Sequence, residues 1–158
     1  MKFSTREDIA APIDFVWSAV SDFDRFEKQA LRRGAEVQRV DANGEAGVAS
    51  EWDLRFHFRG KMREVAAKVV DFEAPNALQL DSKTGGIDGT ILVDLVALSP
   101  RQTRFAFALD LRPRNLSGRL LVQSLKFAKG SLETRFKARI AGFADRVEAE
   151  YRSQSETA

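Results

Sequence analysis

The 158-residue chain predicts an α+β domain in which a curved, seven-stranded antiparallel sheet wraps around one long C-terminal helix, with two short helices after the first strand. Three observations carry this reading. Between Ala35 and Leu111 the apolar residues recur with a period of two, broken by short turns, as consecutive antiparallel strands require. From Leu116 to about Glu150 there is no proline and the spacing changes to steps of three and four, the pattern of an amphipathic helix. One strongly apolar sheet face must also be covered, and the terminal helix is the one element large enough to do it.

Taken in order, Phe3, Thr5, Glu7 and Ile9 share a face of the first strand, which Ala11-Pro12 stops; proline suits the first turn of a helix. Phe15, Val16, Trp17 and Val20 then form an apolar stripe at helical spacing. Ser21-Asp22 is an N-cap signal for a second short helix over 23–31, with Phe23, Phe26, Ala30 and Leu31 inward and Gly34 ending it. Ala35–Val40 reads as a strand and Asp41-Ala42-Asn43-Gly44 as a turn. The clearest alternation follows, with Trp52, Leu54, Phe56 and Phe58 set against Glu51, Asp53, Arg55, His57 and Arg59, and Gly60 closing the run. Over Lys61–Phe72 the parity slips. Met62 and Ala66 lie on one face while Val65, Ala67 and Val69 lie on the other, so a bulge or strong bend is expected.

After the turn Glu73-Ala74-Pro75-Asn76, Leu78 and Leu80 begin a short strand that runs into a glycine-rich hairpin, Thr84-Gly85-Gly86-Ile87-Asp88-Gly89. That hairpin is expected to be mobile and to border the mouth of any cavity. Ile91–Leu98 is a strongly apolar strand, Ser99–Gln102 a turn, and Thr103, Phe105, Phe107, Leu109 and Leu111 alternate up to Pro113. In the terminal helix, capped by Asn115 or Ser117, the stripe is Leu121, Leu125, Ala128, Leu132, Phe136, Ile140, Phe143 and Val147. About 35 residues rise ~52 Å, more than the roughly 40 Å breadth of a domain of this size, so a bend at Gly130 or Gly142 or a projecting end is expected. Residues 153–158 read as a disordered tail, leaving a single domain over 1–152.

Composition, with 44% apolar and 30% charged residues, is that of a soluble globular protein. The lack of cysteine and the single histidine, His57, exclude a disulfide scaffold, zinc–thiolate and iron–sulfur sites, a thiol nucleophile and a histidine-cluster metal site. No metal and no cofactor is expected. Neither a G-x-S-x-G elbow, a phosphate-binding loop, a dinucleotide fingerprint nor H-E-x-x-H occurs. Met1–Asp8 is charged where a signal peptide needs an apolar core, so a cytoplasmic location is expected. The net charge of +2 is unevenly spread. Residues 101–139 hold 10 Lys/Arg against Asp110 and Glu133, a balance that favours an acidic ligand, an anionic membrane or nucleic acid, and that serves equally as a solvated outer face covered by long Arg and Lys stems. Nucleic acid is not expected, because the aromatic residues fall on the face to be buried. Nothing in the sequence speaks to oligomeric state.

Ile9-Ala10-Ala11-Pro12 followed by Val16-Trp17, Val20 and Asp22 resembles the N-terminal signature of the START-like, Bet v 1-like (SRPBCC) superfamily, in its bacterial polyketide cyclase/dehydrase and lipid-transport branch. Asn43-Gly44-Glu45-Ala46-Gly47, Phe72–Leu78 and the terminal helix fall where that pattern places them, so the resemblance spans nearly the whole chain. Phe26-Glu27 departs from it, standing where related chains often carry another Trp. The resemblance implies the helix-grip fold and an elongated apolar cavity between sheet and helix for a lipid, polyketide or isoprenoid-like molecule. The candidate cavity residues are Trp52, Leu54, Phe56, Phe105, Phe107, Leu109, Leu125, Leu132 and Phe136; on the pattern alone they serve equally well to fill a solid core. Binding or transport of a hydrophobic small molecule is therefore the leading function. One alternative is a cyclase or dehydratase with Glu64 or His57 as acid/base, which requires Glu64 to point inward, where desolvation raises a carboxyl pKa. His57 falls opposite Phe56 and Phe58 and reads as exposed. A further alternative is a docking module using the basic segment 101–139.

Overall fold

The computed structural model describes residues 1–41 and 47–157. Its elements are β1 (Lys2–Ile9), α1 (Ile13–Val20), α2 (Phe23–Arg32), β2 (Glu36–Arg39), β3 (Glu51–Phe58), β4 (Lys61–Glu73), β5 (Ala77–Thr84), β6 (Ile87–Ser99), β7 (Gln102–Pro113), α3 (Leu116–Phe127) and α4 (Lys129–Thr157). The seven strands form one antiparallel sheet in the order β1-β7-β6-β5-β4-β3-β2. The turn expected after Asp41 and the segment Asn43–Ala46 lie outside the described residues.

Local chemistry accounts for the element ends. Pro12 occupies the N-cap of α1 in an extended conformation, and Val16, Trp17 and Val20 go inward. Asp22 caps α2, its carboxylate accepting from the Arg25 backbone N–H at 3.2 Å. Arg59 and Gly60 take φ of 52° and 73°, making the β3–β4 turn a two-residue hairpin of the kind that matches strand twist. Arg59 Nη1 then donates to Ser124 Oγ at 2.7 Å, fastening that tip to α3. In β4 the register shifts between Val69 and Asp71. The extra residue, Val70, is left exposed, and the bulge lets Val69 and Phe72 both face the core although they are three residues apart.

Three expectations change. The terminal helix is two helices, broken at Ala128 rather than at Gly130 or Gly142, with α3 against β7 and α4 along β1. A straight rod cannot follow both strands of a curved sheet, and the break lets each half keep its own packing. The stretch 153–157, expected as a disordered tail, continues α4 to Thr157. The glycine-rich hairpin is not at a cavity mouth. It is clamped against the first turn of α3, where Arg114 N donates to Gly86 O at 2.6 Å and Arg114 Nη2 to Gly85 O at 2.6 Å. Ile87 beside it is buried. A Cβ on Gly118 would overlap the Gly86 carbonyl, and one on Gly86 would overlap the Asn115 side chain. Glycine at both positions is what allows the approach.

The core lies between the concave sheet face, α1 and α4. Trp17 packs edge-on to Phe72 at 5.1 Å, Phe105 lies 5.4 Å from Phe143, and Phe136 meets Phe3 at 5.7 Å and Phe107 at 5.5 Å. At the base of β7, buried Thr103 donates its hydroxyl to Ala11 O at 2.8 Å, satisfying a carbonyl just before α1 that would otherwise be costly to bury.

Candidate functional site: an apolar groove between the sheet and two helices

Because α4 runs along β1, at one edge of the sheet, the middle strands are not roofed by it. A groove of about 780 Å³ remains over them. Its floor follows from period-two alternation and register: Phe107 pairs with Val93 and Val93 with Leu78, while Leu80 pairs with Ile91 and Trp52 with Ala67, so these side chains share the concave face. One wall is α2 with its C-cap, through Phe23, Phe26, Ala30 and Arg33. The other is α4, through Arg139, Ile140, Phe143 and Arg146. Phe26 and Leu31, expected inward on α2, are both exposed. Phe26 lines the groove 6.1 Å from Phe143 of the facing helix, and Leu31 lies outside it.

Polar groups sit on the helical walls. Glu27 accepts from Trp52 Nε1 at 2.5 Å, which fixes the indole against Phe23, 5.0 Å away. Arg39 stacks over the same indole at 5.1 Å and lies 3.9 Å from Glu27. It also grips Asp41 with two bonds of 2.6 and 3.3 Å. Across the groove, Arg25 of α2 forks onto Glu150 of α4 at 2.7 and 3.2 Å, tying the two walls together. The Arg25 guanidinium holds the Glu150 carboxyl below the usual carboxylate range. Arg146 lies over the Phe143 ring at 5.2 Å and 3.8 Å from Glu150, and its buried Nε has no hydrogen-bond partner among the described residues. Burial, with Arg25 close by, pushes its pKa down from the ordinary arginine value.

Of the candidate cavity residues, Trp52, Leu54, Phe105 and Phe107 line this groove. Phe56, Leu109, Leu125, Leu132 and Phe136 fall outside it. Leu109 lies opposite Phe3 in the β1–β7 pairing, Leu125 is buried on α3, and Phe136 fills the space between Phe3 and Phe107. Both acid/base candidates are on the outer face. Glu64 is 75% exposed and pairs with Arg55 at 3.4 Å, because it shares the parity of Met62 and Ala66 and not of Ala67. His57 is likewise exposed, so neither reaches the groove. The α2 wall was legible only in part: Phe23, Phe26 and Ala30 were expected inward at helical spacing, which reads the same for a helix on a solid core.

A curved antiparallel sheet, a C-terminal helical grip and an apolar groove between them define the helix-grip, Bet v 1-like class of protein. The chain belongs to the family described as polyketide cyclase / dehydrase and lipid transport, which matches residues 1–148. No curated protein matches the sequence. Among solved structures, a Thermus thermophilus protein is similar at 16% identity and a TM-score of 0.67, covering 95% of this chain and 99% of its own. The Zhui aromatase/cyclase of a Streptomyces strain aligns at 12% identity and a TM-score of 0.68, over 94% of this chain and 93% of that one. Norcoclaurine synthase from Thalictrum flavum, a point mutant holding a transition-state analogue, aligns at 14% identity and a TM-score of 0.68 over 96% of both chains. At these identities the likeness establishes the fold. No helix among the described residues is long and apolar enough to cross a membrane.

Proposed function

We propose that this protein binds and carries a hydrophobic small molecule that ends in an acidic group. The observation that carries the reading is the division of the groove: its floor is hydrocarbon from β3 to β7, and its polar groups are confined to the two helical walls. A volume of about 780 Å³ is that of a site for one small organic ligand. The walls contribute Arg33, Arg139 and Arg146 against one carboxylate, Glu27, which Trp52 and Arg39 already engage. Arg146 lines the groove with a guanidinium that makes no hydrogen bond among the described residues and whose ionic neighbour is Glu150 at 3.8 Å, which leaves its charge able to pair with a ligand carboxylate. Membership of a family that includes lipid-transport proteins supports the same reading.

Two measurements test it. Native mass spectrometry of protein purified from its own host is expected to show a co-purifying hydrophobic acid. A fluorescent fatty acid is expected to bind more tightly than its methyl ester, Phe107→Asn to weaken both, and Arg146→Met to reduce the preference for the acid by roughly tenfold. Equal affinity for acid and ester in the parent protein defeats the head-group assignment, and failure to bind either defeats the carrier reading. A cyclase or dehydratase would have to work through Glu27, the carboxylate that lines the groove among the described residues. Turnover lost in Glu27→Gln with binding retained would favour that reading.

A further inference from the structure

We infer that the outer face of α3 docks on an anionic bilayer surface, an interaction separate from ligand binding in the groove. α3 is apolar on two opposite sides. Gly118, Val122 and Leu125 are buried on the side that packs toward β7. On the other side, Leu116, Leu120 and Phe127 are 72%, 64% and 91% exposed. At 3.6 residues per turn these three fall within about 40° of one another around the helix and span about 17 Å along it. A helix on a sheet needs a single apolar stripe. Isolated exposed apolar side chains are ordinary, but three large ones aligned on one helix mark a surface with an apolar counterpart.

The charge around that line identifies the counterpart. Residues 111–132 contain five cations, Arg112, Arg114, Arg119, Lys126 and Lys129, and no Asp or Glu. Arg112 and Arg114 are engaged by Asp110 and Asp88. Arg119, Lys126 and Lys129 have no ion-pair partner among the described residues. Arg119 and Lys126 stand some 60–80° to one side of the apolar line, within reach of their flexible stems. An apolar line bordered by unpaired cations is the design of a helix that lies in a lipid interface, with its hydrocarbon among the acyl chains and its cations at the head groups. A second copy of this chain is the poorer fit, because a two-fold contact through this face sets the unpaired cations beside it, Arg119 and Lys126, against their own copies.

The test is flotation of the full chain with vesicles of phosphatidylcholine alone and with vesicles containing about one-third phosphatidylglycerol. Association is expected with the mixed vesicles, roughly tenfold weaker with phosphatidylcholine alone, and weaker as salt rises. Leu120→Ser and Phe127→Ser, at side chains that pack against little, are each expected to reduce it about tenfold while fatty-acid uptake and the thermal transition stay unchanged. Arg119→Gln with Lys126→Gln should flatten the salt dependence. The inference is overturned by no association with either vesicle, by equal and salt-insensitive association with both, or by full association of Phe127→Ser. It is also overturned if lipid-free protein forms a dimer that Phe127→Ser dissolves and vesicles do not bind. Groove function is read by fatty-acid uptake, so the two readings fail separately.

Discussion

Asp41 has the most displaced ionisation in the described chain, and its cause is local. Arg39 donates to both carboxylate oxygens, and the Glu51 backbone N–H donates to one of them at 2.9 Å. Together these hold its pKa down to about 2. A carboxyl near 3.9 in the unfolded chain and lower in the folded one stabilises the fold above the unfolded value. That contribution is lost as pH falls through about 2. Asp41→Asn is therefore expected to lower the urea midpoint at neutral pH, with the gap from the parent closing between about pH 4 and pH 2. A gap of constant size across that window would show that Asp41 acts by shape and not by charge. The same cluster orients the groove, since Arg39 passes from Asp41 to the face of Trp52 and Glu27, 3.9 Å from Arg39, accepts from the indole N–H. Glu64 and His57, which the sequence offered as acid/base groups, lie on the other face of the sheet for a reason equally local: one step of parity in a strand reverses the direction of the side chain.

At the scale of elements, the first turns of α3 and α4 each hold a glycine, and the two have opposite roles. Gly118, in the first turn of α3, leaves no room for a Cβ because the Gly86 carbonyl occupies the place, whereas Gly130, in the first turn of α4, has open space around it. Gly118→Ala is expected to destabilise the fold by about 1–3 kcal/mol, the range for overpacking. Gly130→Ala is expected to stabilise it by about 0.5–1 kcal/mol by restricting the unfolded chain. Equilibrium unfolding of the two variants checks both, and a like sign would contradict the close approach of hairpin and helix. The strands were legible because alternation reports directly on burial: Trp52, Val93 and Phe105 are inward as their parity requires. The break at Ala128 was not legible. Alanine is the best helix former, so no local preference announces the interruption. It arises from the different strands that α3 and α4 follow. The role of the Gly85-Gly86 hairpin was hidden for a similar reason, since its partner, Gly118, is a long way off in sequence.

For the molecule as a whole, the question that periodicity leaves open is whether the inside is filled. Leu109 and Leu80 look alike in pattern, yet Leu109 lies opposite Phe3 under the α4 edge while Leu80 lies on the groove floor. The difference is set by where a helix lies relative to the sheet, a distance between layers that no strand's alternation encodes. Bound ligand would complete a layer the chain leaves unfilled, and it stabilises in proportion to the logarithm of its concentration over Kd, about 2.7 kcal/mol at a hundredfold excess. For a domain of this size that corresponds to a rise in Tm of roughly 5–10 °C. Leu80→Trp should place an indole in the vacant layer from the chain's own side. Its expected signature is twofold: an apo Tm equal to or above that of the parent, and loss of most of the ligand-dependent rise. Differential scanning calorimetry with and without a fatty acid reads both quantities. If Leu80→Trp instead lowers the apo Tm and keeps the full ligand shift, the ligand does not occupy the floor of this groove, and the division of labour between hydrocarbon floor and arginine-bearing walls fails with it.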